Sequence, residues 1–488
     1  MCFRSIGLDY VFLSYSLTMK GLLVRIGGMI GLSIPAVVNP DRALLFKDRV
    51  SWSILFAILF TALRNLQIFG PTVSIKPGLF SHLHDAVGCG PSTCLELGIS
   101  PLITAHVISQ LLGASRYCSI DINSKEGRIA LNIFRKSTAL ILTLLMTLLL
   151  LSCGYYGSDI SFTSLTYWVI IVQNVASQMI VVLMDESIEK GYGIGNGLSL
   201  FITTSVTSSL LWALLSPKFV NVSTLGGEYE SIILSPFHLI YSRSNKLGSL
   251  WSIFFRHGPP NWTNLFATIG TAVSVLFLSS HRVDLSIQSI KMRGKAGMYP
   301  IRLLDHYWFP VLAFLALSCN IYFTSRCLSM WFGESILTLF LGRWVNLYGS
   351  WSPSGGILQL FAPPNFTFTA IADFISIFTY PTFVILMTTI MSKYWIDFSG
   401  QSAKDISKLL KDQQLTIKGF RETSVASVLD RYVSPAATTC GLLLGVIISV
   451  SDVCGSIGSG VGVVVATLGL QKLIETVLRE QESFNGML

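Results

Sequence analysis

Charge is scarce in this chain. Of its 488 residues only 12% are Asp, Glu, Lys or Arg, 51% are hydrophobic, and the mean hydropathy is +0.61. Water-soluble domains carry about a quarter charged residues, so an ordinary soluble fold is excluded. Cys-x-x-Cys spacing is also missing. The nine cysteines (Cys2, Cys89, Cys94, Cys118, Cys153, Cys319, Cys327, Cys440 and Cys454) are scattered, several inside apolar runs, and neither a metal site nor a disulfide framework is expected. There is no Walker loop, no His-Glu-x-x-His and no nucleophile elbow, so neither nucleotide hydrolysis nor an enzyme activity is expected. Gly191 to Gly195 (GYGIG) is no phosphate loop, because it follows an apolar helix rather than a strand.

What the chain has is a series of apolar windows separated by polar connections, without the alternation of a barrel strand. That pattern predicts an all-α polytopic membrane protein. One stretch breaks the rule. In Leu95 to Leu112 (LELGISPLITAHVISQLL), Ser100 is placed to cap a helix and Pro101 to open it. The helix is too short for the roughly 20 residues a crossing needs. The residues before it, 80–94 (FSHLHDAVGCGPSTC), are polar and glycine-rich. Non-helical backbone at membrane depth survives only where protein or a water-filled cavity covers it. Broken helices of this kind mark translocation pathways, so this stretch is read as lining one.

Ten crossings are counted: 51–70 with Arg64 and Asn65 near its end, the broken element to about 113, 129–153, a fourth ending near 184, 197–215, 262–280, 306–325, 367–392, 433–450 and 455–476. A charge near mid-helix costs about 3 kcal/mol on insertion scales, so Arg64 is expected to snorkel or to face protein. Residues 185–196 read as a charged, glycine-rich turn, while 216–261 and 326–366 read as long loops. The connections 282–305 and 393–430 are the basic ones, which places them and both termini in the cytosol. The triplets at Asn221, Asn261 and Asn365 are weak hints that the long loops lie on the other side. Residues 11–32 read as an amphipathic helix on the cytosolic face rather than a signal peptide. No small-residue cleavage site follows them, but Pro35, Pro40 and a charged stretch over 41–50 do. The five-plus-five count suggests two pseudo-symmetric inverted halves.

Five segments then carry a resemblance. LELGISP (95–101), KGYGIGNGLSLFI (190–202), HRVDLSIQS (281–289), SAKDISKLLKDQQ with GFRETS (402–424) and GSIGSGVG (455–462) are similar to the SecY family of protein-conducting channels. The likeness is greatest to the alpha subunits of the eukaryotic endoplasmic reticulum translocon, and it runs from about residue 20 to the C-terminus. It implies an N-terminal extension with a cytosolic amphipathic helix (1–50), an N-terminal half (51–215), a luminal loop or hinge (216–261), a C-terminal half (262–476) and a cytosolic tail (477–488). Ile99, Ile103, Leu198, Ile202, Leu312 and Val465 fall at pore-ring positions. A plug is implied over about 80–96, here with His82, His84, Asp85, Gly88 and Gly90. His82 and His84 are two apart with no fourth ligand evident, so metal is not expected there.

Gln110, Met146 and Asn320 fall at lateral-gate positions. Met146 departs from the glutamine usual there, and Arg64 has no family role. Arg293, Lys418 and Arg421 fall where the family docks on the ribosome. The resemblance implies a passive channel that moves secretory polypeptides across the endoplasmic reticulum membrane and inserts membrane proteins through a lateral gate, without a cofactor. Its implied partners are a SecE-like gamma subunit and a small beta subunit, the ribosome through its RNA and tunnel-exit proteins, nascent chains with their signal sequences, the lipid bilayer, post-translational accessory subunits and a luminal chaperone. Two other readings stay open. A ten-span secondary transporter would also use broken helices, although Arg64 is the one strong intramembrane charge. A membrane-embedded enzyme would have to rely on His106, which has no partner at catalytic spacing.

Overall fold

The computed structural model describes residues 34–485 except 41, 43, 71–78, 115–124, 158–161, 223–225, 243–245, 256–258, 290–294, 305–307, 334, 348–349, 355, 365–370, 400–401, 418 and 421–423. The helix expected over 11–32 lies outside the described residues. The chain opens with α1 (Phe46–Asn65), a 3-10 turn (Ser81–Leu83) and the four-residue α2 (His84–Val87), then reaches α3 (Ser100–Ala114). Next come α4 (Lys125–Ser152), α5 (Leu165–Glu189) and α6 (Gly197–Leu215). The long connection that follows is not a plain loop: it holds the hairpin β1 (Phe219–Val222) and β2 (Gly226–Tyr229) and the helices α7 (Leu234–Ser242) and α8 (Lys246–Phe254). The chain continues through α9 (Trp262–Ser279), β3 (Arg282–Ser289), β4 (Lys295–Arg302) and α10 (Trp308–Phe332). After α10, the second long connection folds as α11 (Ile336–Leu341), β5 (Arg343–Leu347), β6 (Ser350–Ser354) and α12 (Gly356–Leu360). Finally come α13 (Ile371–Phe398), α14 (Ala403–Asp412), β7 (Leu415–Ile417), α15 (Val425–Val453) and α16 (Gly460–Asn485).

Among the described residues eight helices are long and apolar enough to cross a membrane: α4, α5, α6, α9, α10, α13, α15 and α16. The other two counted crossings differ in kind. α1 has 20 residues, about 30 Å of helix, but carries Lys47, Asp48, Arg49 and Arg64. α3 has 15 and is the broken half-crossing expected from Pro101.

The expected turn over 185–196 begins too early. α5 runs on through Asp185 and Glu186 to Glu189 because the charges are paired inside the fold. Glu186 meets Lys136 and, at 2.7 Å, Lys190, while Arg135 forks onto Glu189 at 2.6 and 2.5 Å and lies 3.4 Å from Asp185. The reversal itself falls to Gly191 and Gly195, at φ +92° and +77°, where a side chain would strain the backbone. The later helices also overrun their expected ends. α10 continues to Phe332, α13 continues to Phe398, α15 starts at Val425 and α16 reaches Asn485, so most of the expected tail is helix.

Both basic connections fold together. β3 and β4 form a hairpin, and β7 from the other connection adds to its free edge with Ile287 opposite Ile417. Beneath this sheet Ile287, Ala403, Leu410, Ile417, Val425 and Leu429 form an apolar cluster, which is why α15 begins already at Val425. Within the bundle, α13 and α15 approach closely. The Thr388 hydroxyl donates to the Gly441 carbonyl at 2.9 Å and Ser392 to Ala437 at 2.7 Å, and a Cβ on Gly445 would lie 2.6 Å from the Cα of Ile385. Small residues let backbones approach where lipid gives no hydrophobic drive to associate.

Candidate functional site

The centre of the molecule lies where the chain just before α3 meets α6, α10 and α16. Ile99, Ile103, Leu198, Ile202, Leu312 and Val465 come from these separate elements, are at most 1% exposed, and belong to one buried apolar cluster. None of the six side chains carries a polar atom, so none offers water a hydrogen bond.

The segment 79–99 folds against this centre. Gly88 turns the chain at φ +67°, and a Cβ there would sit 2.8 Å from the Phe60 ring. Gly90 is tighter still, since a Cβ would fall 2.4 Å from the Arg64 carbonyl oxygen. The Ile99 amide donates to the Val87 carbonyl at 2.9 Å, which lashes α2 to the start of α3. Ser205 of α6 donates to the Asp85 carbonyl at 2.6 Å. The two histidines are directed apart: the His82 ring lies edge-on to Tyr322 and Tyr380, at 5.6 and 6.3 Å, while His84 Nε2 lies 3.3 Å from an Asp85 oxygen.

Arg64 faces protein. From the last turn of α1 its guanidinium donates to Asp85 Oδ1 at 2.8 Å, to Ser208 at 2.8 Å, to the Ser205 carbonyl at 3.2 Å and to Ser209 at 3.3 Å. Ser209 also donates to the same Asp85 oxygen. Sequence reading placed Asp85 and Arg64 separately and missed the serines of α6, which look there like ordinary helix residues.

At the α3–α10 contact, Asn320 Nδ2 donates to the Thr104 hydroxyl at 3.0 Å and to the Ala316 carbonyl of its own helix at 2.7 Å. Gln110 is not Asn320's partner: its Nε2 meets His106 Nε2 at 2.7 Å within α3. The pair across this contact is therefore an amide and a hydroxyl, and in the sequence Thr104 stands only as an interruption of an apolar run. His106 also lies 3.2 Å from Arg135, so it belongs to the charge cluster that ties α3, α4 and α5 together. Met146 is 4% exposed on α4 and packs in the central cluster. Arg293, Lys418 and Arg421 lie outside the described residues. The strands that lead to them do not: 290–294 joins β3 to β4, and β7 runs into 418, so one sheet carries both basic segments.

Comparison with known proteins supplies the rest. A family model described as SecY matches residues 93–473. The chain is 33% identical over 462 residues to the protein transport protein Sec61 subunit alpha of Dictyostelium discoideum, covering 93% of this chain and 96% of that one. It resembles a solved SecY structure, described as showing how the plug domain stabilises the closed state of the translocation channel and maintains a membrane seal. The TM-score there is 0.72 at 23% identity over 93% of this chain and 96% of that chain. It also resembles Sec61 in the canine ribosome-channel complex from the endoplasmic reticulum, with a TM-score of 0.71 at 22% identity over the same shares. At such identities the two structures speak for the fold.

Proposed function

The chain belongs to the SecY family, and from that premise we propose that it is the pore-forming alpha subunit of an endoplasmic reticulum translocon. It is a passive channel. Secretory polypeptides thread its centre, and sufficiently apolar segments leave sideways into the bilayer. One observation carries this reading: six aliphatic side chains from separate elements are buried in a single cluster with the 79–99 segment folded against it. A constriction of aliphatic groups dewets, which blocks ions yet yields to a passing chain of almost any sequence.

In this reading the pore ring is Ile99, Ile103, Leu198, Ile202, Leu312 and Val465, and the plug is the segment 80–96 with His82, His84, Asp85, Gly88 and Gly90. The gate lies between α3 and α4 on one side and α10 and α13 on the other, with Asn320, Met146 and Gln110 on its walls and Thr104 as Asn320's partner. Residues 51–215 and 262–476 act as two halves hinged at 216–261. The joined basic sheet faces the cytosol with both termini and presents Arg293, Lys418 and Arg421 to the ribosome. Gamma and beta subunits complete the complex, and the ribosome or a luminal chaperone supplies the energy. The similarity to a protein transport subunit over 93% of the chain argues against the secondary transporter and the membrane enzyme.

A photo-crosslinking residue placed at Ile103 or Leu198, in microsomes engaged with a stalled secretory chain, should attach to that chain. The same probe at Leu211, exposed on the outer face of α6, should not. Equal labelling at both positions, or none at the inner ones, overturns the assignment.

A further inference from the structure

Two cysteines that the channel reading leaves unused meet at the wall of the gate. Cys153 follows the last turn of α4, and Cys327 lies near the end of α10. The Cys153 thiol donates to the Cys327 carbonyl at 3.4 Å, so the side chain of one cysteine rests on the backbone of the other. They are free thiols here, Cys327 buried and Cys153 partly open. Seven residues separate Cys327 from Asn320, about 10 Å of helix, so α10 is held to the opposite wall at two heights: by Thr104 of α3 and by the residue that ends α4.

The chemistry at this contact is specific. Disulfides form where the compartment is oxidising, as in the lumen of the endoplasmic reticulum, and are rare on the cytosolic side. By the charge asymmetry of the connections, the α4–α5 turn and the far end of α10 both lie opposite the basic sheet, on the luminal side. Two cysteines whose side chain and backbone already touch need little backbone movement to close. Cys153, the more open of the two, is the one that an external disulfide reaches first.

We propose that Cys153 and Cys327 are a redox modification site, a disulfide latch that fastens α4 to α10 and holds the lateral gate shut when the luminal face is oxidised. Closure is thiol–disulfide exchange with a luminal disulfide RSSR. The Cys153 thiolate attacks one sulfur, forming a mixed disulfide and releasing RSH. The Cys327 thiolate then attacks the Cys153 sulfur, forming the Cys153–Cys327 bond and releasing the second RSH. The protein loses two electrons and two protons, and the small disulfide gains both. A luminal dithiol reverses the sequence.

The latch rests on the gate reading, and the test separates the two. Microsomes bearing the full complex are treated with oxidised glutathione, digested without reduction, and searched for the peptide pair containing Cys153 and Cys327. In parallel, release of a signal-anchor segment to a photoreactive phospholipid is measured. The expected result is the linked pair, with lipid labelling down at least fivefold and restored by dithiothreitol. Cys153→Ser and Cys327→Ser should each abolish both responses to the oxidant. Two thiols that stay fully alkylatable after oxidation overturn the site. A linked pair with lipid labelling unchanged overturns the latch and places the failure in the gate reading rather than in the chemistry.

Discussion

At the scale of single residues one charge pair ties the proposed plug to α1. Arg64 and Asp85 are 13% and 14% exposed in their side chains, and Ser208 and Ser209 of α6 bond to the pair. Breaking a buried pair by removing one partner costs about 3 to 5 kcal/mol, because the other charge stays behind without its partner. With both groups still touching solvent, about 2 kcal/mol is a fair discount. Asp85→Asn should therefore shift the plug toward its displaced state by roughly thirtyfold, read as a raised resting ion conductance in reconstituted membranes. Arg64→Ala should do the same. The double variant should cost clearly less than the two added together, since each single change already removes the same interaction. Strict additivity would mean that the pair does not hold the plug. The sequence made Arg64 conspicuous as a charge in an apolar helix, and the rule that such a charge faces protein was enough to aim it inward. Its partner was not legible, because Asp85 is 21 positions away and Ser208 is 144, and no local pattern reports contacts across a turn and between helices.

At the scale of elements, periodicity located most of the helices but not their ends. α5 and α15 show why. A helix end is visible in sequence as a charge or a glycine, yet Asp185 and Glu186 are buried against Arg135 and Lys136, and Val425 is buried under the sheet. Tertiary pairing extends both helices past the point where polarity suggests they stop. The sheet was invisible for a related reason: β7 is three residues long and exists only because β3 offers it an edge. The same limit applied to the gate. Polar positions on α3 and α10 could be found, but which faced which depends on how two helices cross. The observed pair is Asn320 with Thr104, and a hydrogen bond between helices in a membrane is worth about 0.6 to 2 kcal/mol. Thr104→Val should remove that bond while keeping the shape, favouring the open gate by roughly three- to thirtyfold. Translocation of substrates with weakly hydrophobic signals should rise, while strongly hydrophobic ones change little. Gln110→Leu should leave the threshold where it is, since its amide bonds within its own helix. If Gln110→Leu shifts the threshold and Thr104→Val does not, the gate closes on a different pair.

At the scale of the whole molecule two surfaces, one at the proposed waist of the path and one at its proposed cytosolic mouth, divide the work. At the waist the proposed aliphatic ring would exclude water by having nothing to offer it. Leu198→Ser together with Ile202→Ser should wet it, raising ion conductance severalfold while translocation persists. Unchanged conductance would remove these residues from the constriction. At the cytosolic mouth the task is reversed, because the partner is charged. β4, β3 and β7 form one sheet, so the two basic connections, in whose sequence Arg293, Lys418 and Arg421 fall, share a scaffold. Guanidinium groups suit phosphate-rich RNA because they bond it bidentately and keep their charge. Arg421→Glu changes the local charge by two and places a carboxylate against phosphate. It should lower ribosome affinity at least tenfold, with the yield of folded complex unaltered, because the cluster beneath the sheet is built of Ile287, Ala403, Leu410, Ile417, Val425 and Leu429. Lys418→Ala, which removes one charge and adds no repulsion, should cost less. The wild-type interaction should weaken steeply with salt, and the Arg421→Glu variant less steeply, since fewer phosphate contacts are left to screen. Equal co-sedimentation of both proteins with ribosomes across a salt series would show that docking is carried elsewhere on the sheet.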